Sequence, residues 1–168
     1  MSLIRAKEYL NKFGLVEHIM EFDVSSATVA EAAQAVGCMA GEIAKTISFI
    51  ANGKAILIVA AGDSKIDNNK YKQEFGTKAK MIAFEDVEKV IGHAVGGVCP
   101  FGVNEDVAVY LDESLKRFDF VYPACGSSNS AIKLCISELE RVSGYKKWVD
   151  VCKLIENWFV FKKNCKWF

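Results

Sequence analysis

The dipeptide Asn52-Gly53 limits the possible folds of this chain more than any other pair of residues, because it separates two apolar runs, 47–51 and 55–61. Asn-Gly between apolar runs is the strongest short-range signal for a β-hairpin, since both residues tolerate the positive φ angles of a tight turn. The sequence therefore predicts two antiparallel strands joined at residues 52 and 53. We expect this hairpin to form the centre of a sheet.

Helical and extended patterns alternate irregularly along the rest of the chain. Thr28 and Glu31 form a predicted capping box, in which the Thr28 hydroxyl accepts from an early backbone amide, and Gly37 follows where that helix would end. The further predicted helices lie at 3–13, 42–45, 67–75, 85–91 and 137–153, and the further strands at 79–83, 107–111, 119–122 and 131–135. Hairpins mixed with helical crossovers predict an α+β fold with a mixed, curved sheet.

Length and charge exclude several classes of protein. The 168 residues are 51% hydrophobic and 25% charged, which predicts one globular domain. The 21 basic and 21 acidic residues cancel, so no overall charge attracts nucleic acid or a membrane at long range. The apolar runs are too short to span a bilayer, and Arg5, Lys7 and Glu8 stand where a signal peptide would be apolar. We expect a cytoplasmic protein with no membrane partner.

The cysteines and histidines do not have the spacing of metal ligands. Six single cysteines occur without a CxxC pair, and the two histidines, His18 and His93, are far apart in sequence. Most of these thiols are therefore interpreted as small buried hydrophobic groups. We predict no metal, no other cofactor and no disulfide framework.

Two glycine-rich segments, 92–102 and 122–129, are the first candidates for a binding site. Paired glycines let backbone N–H groups approach a carbonyl oxygen or a phosphate, although a tight turn uses them equally well. Cys99 lies in the first segment and Cys125 in the second. Because both segments flank predicted strands, we expect them to share one concave site.

Lys45 is the second candidate, because it interrupts the apolar passage 43–50 at the start of a predicted central strand. Its side chain must either extend outward to solvent or point into a pocket that supplies an anionic partner. A bound phosphate or a developing oxyanion would be such a partner. Asp63, just beyond the neighbouring strand, could pair with this lysine or cap a turn.

Five segments occur in the order seen in the YbaK/ProX family, which the chain resembles over residues 3–152: 26–33, Lys45-Thr46, Ala61-Gly62-Asp63, 96–102 and 124–127. These proteins are similar to the editing domain of some bacterial prolyl-tRNA synthetases. The resemblance implies a mixed sheet that closes partly into a barrel with helices outside. It also implies a trans-acting hydrolase that removes cysteine or alanine from tRNA(Pro), with aminoacyl-tRNA and prolyl-tRNA synthetase as partners.

Position by position, the resemblance implies the roles of individual residues. Lys45 matches the essential lysine of the family, which holds the terminal adenosine phosphate or the ester region, and it is the predicted catalytic residue. The resemblance implies that Lys45 and the backbone amides of the glycine segments position the 3′ ester. The second glycine segment differs from that of the cysteine-selective branch and resembles a sister branch. The predicted substrate-binding residues are Thr28, Thr46, Asp63, Gly96, Gly97, Cys99, Phe101, Gly102, Cys125, Gly126 and Ser127.

Two alternatives remain open from the sequence. A non-catalytic module could bind the aminoacyl or nucleotide end, or a synthetase, without hydrolysis. A covalent mechanism could use Ser127, Ser128 or a thiol as nucleophile, but it would need His18 or His93 as a base. Residues 153–168 are predicted to form an aromatic and basic tail outside the domain, with no assigned role.

Overall fold

A computed structural model describes residues 2–156 of the chain. The described helices and strands are α1 (Ser2–Asn11), β1 (Ile19–Glu21), α2 (Val29–Val36), β2 (Ile43–Ala51), β3 (Lys54–Ala61), β4 (Ser64–Ile66), α3 (Asn68–Phe75), α4 (Val87–Ile91), β5 (Ala108–Asp112), β6 (Phe120–Pro123), β7 (Ser130–Ile132), β8 (Leu134–Cys135), α5 (Ile136–Ser143), β9 (Trp148–Val149) and β10 (Cys152–Leu154). Short 3₁₀ turns occur at Val16–His18, Ala40–Glu42, Phe84–Asp86 and Glu113–Arg117. None of the helices within residues 2–156 has the length and apolar character needed to cross a bilayer.

The main sheet has six strands in the order β8-β6-β2-β3-β5-β9. Strands β2 and β3 are antiparallel, whereas β2 with β6, β3 with β5 and β5 with β9 are parallel. Two small antiparallel pairs, β1-β7 and β4-β10, lie beside this sheet. The predicted α+β class and the mixed, curled, partly barrel-like sheet surrounded by helices are confirmed.

The predicted hairpin forms the middle of the sheet. Asn52 and Gly53 have φ angles of 52° and 77°, and Ala51 pairs with Lys54 across the turn. Positive φ at two successive positions is what a tight two-residue hairpin turn requires, and Asn and Gly adopt it at little cost. The local signal was therefore sufficient to place both central strands.

The two faces of the sheet bury different helices. One face packs against α1, α4 and α5 in the largest apolar cluster, to which β3 contributes Leu57 and Val59. The other face carries two smaller clusters, one around α2 with Ile43 and one around α3 with Phe49 and Ile58. Successive side chains of a strand point to opposite faces, so the odd-numbered positions of β2 face α2 and α3.

Three sequence predictions near β2 are corrected by the structure. Residues 42–45 are not a helix, because the helical turn ends at Glu42 and the strand already begins at Ile43. The stretch 79–83 is not a strand and makes only an isolated bridge between Met81 and Phe49. The capping box is half formed, because Thr28 accepts from the Glu31 amide at 3.1 Å while the Glu31 carboxylate binds Ser25 instead.

Towards the end of the described chain, the predicted helix 137–153 is wrong. Helix α5 ends at Ser143, where Gly144 adopts a φ of 63° and terminates it, and β9 and β10 follow. The predicted strand 131–135 is divided between β7 and β8, which pair with different strands. Strand β10 crosses the predicted domain boundary at residue 152, and the rest of the tail, from residue 157, lies outside the described residues.

Candidate functional site

Lys45 lies on the face of β2 that α2 and α3 cover, between the positions of Ile43 and Phe49. Only 6% of the residue is exposed, so the alternative that its side chain extends to solvent is wrong. The Lys45 Nζ donates a hydrogen bond to the carbonyl of Ser64, the first residue of β4. A backbone carbonyl thus binds an ammonium group that is buried on the helix-covered face of the strand.

Thr46 points the opposite way from Lys45. It is fully buried, and the alternation of the strand directs it to the face packed against α1, α4 and α5. Its hydroxyl has no hydrogen-bond partner among residues 2–156. The predicted role of Thr46 in substrate binding stays a prediction, and the structure does not bring its side chain to Lys45.

The second glycine-rich segment begins beside Lys45. Strand β6 runs parallel to β2 with Tyr122 opposite Ile43 and Pro123 opposite Ala44, so the next residue along, Ala124, follows the strand towards the level of Lys45. This arrangement depends on a pairing between segments about 80 residues apart in sequence. It is the contact that relates the predicted catalytic lysine to the predicted binding loop.

The two glycine-rich segments pack directly against each other. A Cβ atom on Gly97 would lie 2.3 Å from the Gly126 carbonyl carbon and from the Ser127 nitrogen. On Gly126, whose φ is 84°, a Cβ would lie 2.3 Å from the Ser2 carbonyl oxygen. A Cβ on Gly96 would lie 3.6 Å from the Cβ of Ala27, so the loop that precedes α2 reaches the same place. Only glycine permits the two 2.3 Å approaches at Gly97 and Gly126.

One of the glycine amides already has an acceptor. The Gly97 N–H donates to the Ala94 carbonyl at 3.0 Å. This group therefore gives the site its shape and is not a spare donor for a ligand. The predicted roles of Gly96, Gly97 and Gly126 in substrate binding remain predictions.

Gly102 and Phe101 lie away from Lys45. A Cβ on Gly102 would lie 3.1 Å from the Arg5 carbonyl oxygen and 3.3 Å from Tyr9, both in α1. Gly102 lines an open cavity of about 490 Å³ on that side of the molecule, together with Arg5, Tyr9 and Ser143. Phe101 is fully buried in the large core. The structure therefore does not bring this end of the first segment to the lysine.

Cys99 and Cys125 are fully buried in the same core. Burial raises the pKa of the Cys99 thiol to about 12 and raises that of Cys125 well above its ordinary value. His93, whose Nε2 lies 3.5 Å from the Cys99 sulfur, has its pKa lowered to about 4 by burial. Both thiols are protonated at neutral pH, so neither serves as a nucleophile in this conformation.

Two of the hydroxyl groups of the predicted site, those of Ser127 and Thr28, are engaged locally. Ser127 Oγ donates to the Asn129 amide oxygen at 2.9 Å and lies 2.6 Å from Ser130 Oγ, and neither partner is a base. Thr28 Oγ1 accepts from the Glu31 amide and so caps α2. These contacts favour a mechanism without a serine nucleophile over the covalent alternative.

Asp63 pairs with Arg117, a residue that sequence reasoning missed. The guanidinium binds the carboxylate through two contacts, Nη2 to Oδ1 at 2.5 Å and Nη1 to Oδ2 at 3.1 Å. The contacts resolved for Asp63 thus include an arginine and not Lys45. The two residues are 54 positions apart, and the only sequence signal was that Arg117 is one of three arginines in a lysine-rich chain.

No group of three His, Cys, Asp or Glu side chains within residues 2–156 is arranged to hold a metal ion. On the β10 side, the buried Cys152 thiol interacts electrostatically with Lys45 and with the buried Asp112 carboxylate. Lys65 stands directly opposite Lys153 in the β4-β10 pair. The groups resolved around Lys45 therefore include a backbone carbonyl, a thiol and, beyond that thiol, a carboxylate.

A family model described as "Aminoacyl-tRNA editing domain" matches residues 23–142. The protein "Uncharacterized protein YwhH" of Bacillus subtilis (strain 168) is 51% identical over 154 residues, which are 91% of this chain and 98% of that protein. A protein of Enterococcus faecalis named "Putative Cys-tRNA(Pro)/Cys-tRNA(Cys) deacylase EbsC" is 27% identical, over 68% of this chain and 69% of that one.

A solved structure described as a "putative trans-editing enzyme for prolyl tRNA synthetase" superposes with a TM-score of 0.81 at 30% identity, and the match covers 90% of this chain and 97% of that one. The "Proline--tRNA ligase" of Limosilactobacillus fermentum is 32% identical over 95 residues, which are 53% of this chain but only 17% of that enzyme. The likeness to the synthetase therefore concerns one part of a much longer protein.

Proposed function

Because the chain belongs to the aminoacyl-tRNA editing domain family, we propose that it is a hydrolase that removes a wrong amino acid from an aminoacyl-tRNA. We take tRNA(Pro) carrying cysteine or alanine as the substrate. The Enterococcus relative, named as a Cys-tRNA(Pro)/Cys-tRNA(Cys) deacylase, and the solved trans-editing structure for prolyl tRNA synthetase support tRNA(Pro) and cysteine as the starting points for a test.

The observation that carries this proposal is the buried Lys45 ammonium on the face of β2 that α2 and α3 cover. An aminoacyl ester is already activated by the neighbouring ribose hydroxyl, so its hydrolysis does not need a strong side-chain nucleophile. The transition state of this hydrolysis does develop negative charge on the carbonyl oxygen of the ester. A fixed positive charge in a partly dry site stabilises that oxygen more in the transition state than in the ground state.

In the proposed mechanism, Lys45 Nζ faces the carbonyl oxygen of the ester, and a water molecule attacks the carbonyl carbon. The bond between that carbon and the ribose oxygen breaks, and the ribose oxygen leaves with a proton from the attacking water. The packed glycine segments hold the acyl group in a narrow space that large side chains do not enter. One well-placed group of this kind typically contributes about 10²- to 10³-fold in rate.

None of Cys99, Cys125 and Ser127 is an activated nucleophile, which supports the same mechanism. The described thiols nearest the glycine segments are protonated, and Ser127 contacts no base. Positioning and charge stabilisation are therefore the means of catalysis that these residues offer. The 3′ end of the acceptor strand would supply most of the recognition, because the chain has no net charge with which to hold the whole tRNA.

The test is a deacylation panel with purified protein and tRNA(Pro) charged with cysteine, alanine, serine or proline. We expect release of at least one non-cognate amino acid well above the spontaneous rate and no release of proline. In the same panel, a Lys45→Met variant has Lys54→Met as its matched control, which removes an exposed lysine from the same hairpin. Saturable binding of every charged tRNA without release would overturn the hydrolase and leave the binding module as the function.

A further inference from the structure

The turn between β3 and β4 leads directly into a residue that binds Lys45. Ser64, the first residue of β4, supplies the carbonyl that accepts from the Lys45 ammonium, and the residue before it, Asp63, forms the ion pair with Arg117. Ser64 Oγ also lies 3.5 Å from Asp63 Oδ1. Two adjacent residues thus contact two basic side chains, Ser64 the buried lysine and Asp63 the arginine.

Close packing leaves this turn little freedom on its inner side. A Cβ on Gly62 would lie 2.2 Å from the Ala40 carbonyl oxygen and 2.7 Å from Val29 Cγ1, so the backbone of the turn rests directly on α2 and the segment after it. On Gly41, a Cβ would lie 2.8 Å from Asp63 Oδ2. The carboxylate of Asp63 therefore lies against backbone on one side and has the guanidinium on the other.

The arginine is itself held by its own helical turn, Glu113–Arg117. Its Nε donates to the Ser114 carbonyl at 3.0 Å, and its guanidinium lies 4.8 Å from the centre of the Phe118 ring. Ser114 makes a second contact between the same two segments, because its hydroxyl accepts from the Ala61 amide at 3.1 Å. A two-pronged guanidinium contact fixes both the distance and the direction of a carboxylate, which a lysine cannot do.

We propose that Arg117 is a positioning residue for Lys45. It binds Asp63 through two hydrogen bonds, keeps the turn in one conformation, and so fixes the Ser64 carbonyl that directs the ammonium. Arg117 does not touch the substrate in this account. The kinetic part of the inference rests on the proposed hydrolysis, whereas the effect on Lys45 itself does not.

The kinetic experiment compares Arg117→Met, Arg117→Lys and Asp63→Asn with the wild type. Because a small misplacement of a catalytic group costs up to about 10²-fold in rate, we expect kcat to fall about 10- to 100-fold in the Met and Asn variants, with KM within about twofold. The double variant should be no slower than the slower single variant, since both changes break the same contact. Arg117→Lys should retain part of the activity.

The matched control is Lys116→Met, which breaks the neighbouring exposed ion pair with Glu113 on the same helical turn. We expect wild-type kcat and KM for this variant. If Arg117→Met and Asp63→Asn lower only the melting temperature, with kcat per folded molecule unchanged, the ion pair is merely structural and the inference is overturned.

A second readout does not depend on activity. The exchange of the Lys45 Nζ protons with water is measured by NMR on protein labelled with ¹⁵N at lysine. We expect Arg117→Met to speed this exchange about tenfold or more, and Lys116→Met to leave it unchanged. Faster exchange in a protein that hydrolyses none of the charged tRNAs would support the inference and contradict the proposed function. Unchanged exchange in Arg117→Met would overturn the inference whatever the activity.

Discussion

Two polar clusters have a buried centre, Lys45 in one and His93 in the other, and their chemistry differs. In the Lys45 cluster, formed by Lys45, Ser64, Asp63 and Arg117, a buried ammonium binds a carbonyl and a guanidinium binds a carboxylate. In the His93 cluster, formed by His93, Cys99 and Phe101, burial keeps both the imidazole and the thiol neutral at pH 7. Histidine and cysteine are common in active sites, but here their presence does not mark the candidate site.

The difference between the clusters follows from what each one faces. His93 and Cys99 belong to the first glycine-rich segment and are fully buried, and Cys99 is part of the core covered by α1, α4 and α5. Lys45 lies on the other face of the sheet, which α2 and α3 cover. We infer that the His93 cluster stabilises the fold and that the Lys45 cluster performs the chemistry. Each prediction below can separate these two roles.

The largest expected effect is on activity. Lys45→Met removes the charge while it keeps the length of the side chain, so we expect kcat/KM for deacylation to fall about 10²- to 10³-fold. His93→Gln keeps a donor towards the Phe101 carbonyl and should leave kcat/KM within about threefold. Steady-state deacylation of the substrate found in the panel measures both. Equal losses in the two variants would remove the distinction between the clusters.

The next effect is on stability at low pH. The pKa of His93 is about 4 in the folded protein and about 6.5 when unfolded. Between these values the unfolded state binds one more proton, so stability falls as the pH falls from about 6.5 to about 4, by about 3 kcal/mol in total. Urea unfolding at several pH values measures it. In His93→Gln, the total loss of unfolding free energy over this pH range should be smaller by this amount. An unchanged loss would contradict the burial of a neutral His93.

Gly97→Ala tests the contact between the glycine-rich segments that lies between the two clusters. Its Cβ would lie 2.3 Å from the Gly126 backbone, so the loops must separate, at a cost of about 1–3 kcal/mol in the free energy of unfolding. We expect a drop in activity at temperatures where the variant is folded, because the acyl space widens. Gly53→Ala, at the hairpin turn with open space around it, is the control for the activity, which should not change.

The smallest effect concerns the thiols. Because Cys99 and Cys125 are buried and protonated, we expect neither to react with iodoacetamide in the native protein over hours, while Cys135, which is partly exposed, is modified. Cys99→Ala should retain wild-type kcat. Mass spectrometry of the labelled peptides locates the modified residues. Rapid native labelling of Cys99 together with loss of activity would place the His93 cluster in the chemistry.

Local patterns predicted the parts of the fold that depend on neighbouring residues. The Asn52-Gly53 turn, the cap of α2 at Thr28 and its end at Gly37 form as predicted because each requires only a few residues with defined φ angles. The sequence of 79–83 predicted a strand, but in the structure this stretch makes only one isolated bridge. The apolar periodicity predicted a helix that continues to residue 153, but α5 ends before Gly144. Strand pairing and helix ends depend on tertiary packing, which the spacing of apolar residues in the sequence does not reveal.

The site was predictable where a residue conflicted with its surroundings. A lysine in an apolar strand indicated a special environment, and paired glycines indicated close backbone approach, which Gly97 and Gly126 confirm. The pairing of Asp63 with Arg117 could not be predicted in this way, because the two residues are 54 positions apart and neither conflicts with its sequence neighbours. The burial of Cys99 depends on tertiary packing in the same way.

The most direct test of the central claim is single-turnover deacylation with the protein in excess over the charged tRNA. For Lys45→Met against Lys54→Met, we predict that the maximal rate of amino-acid release falls about 10²-fold or more, while the half-saturating protein concentration changes less than about threefold. An unchanged maximal rate with a weaker half-saturation would mean that Lys45 only holds the tRNA, and it would contradict the account.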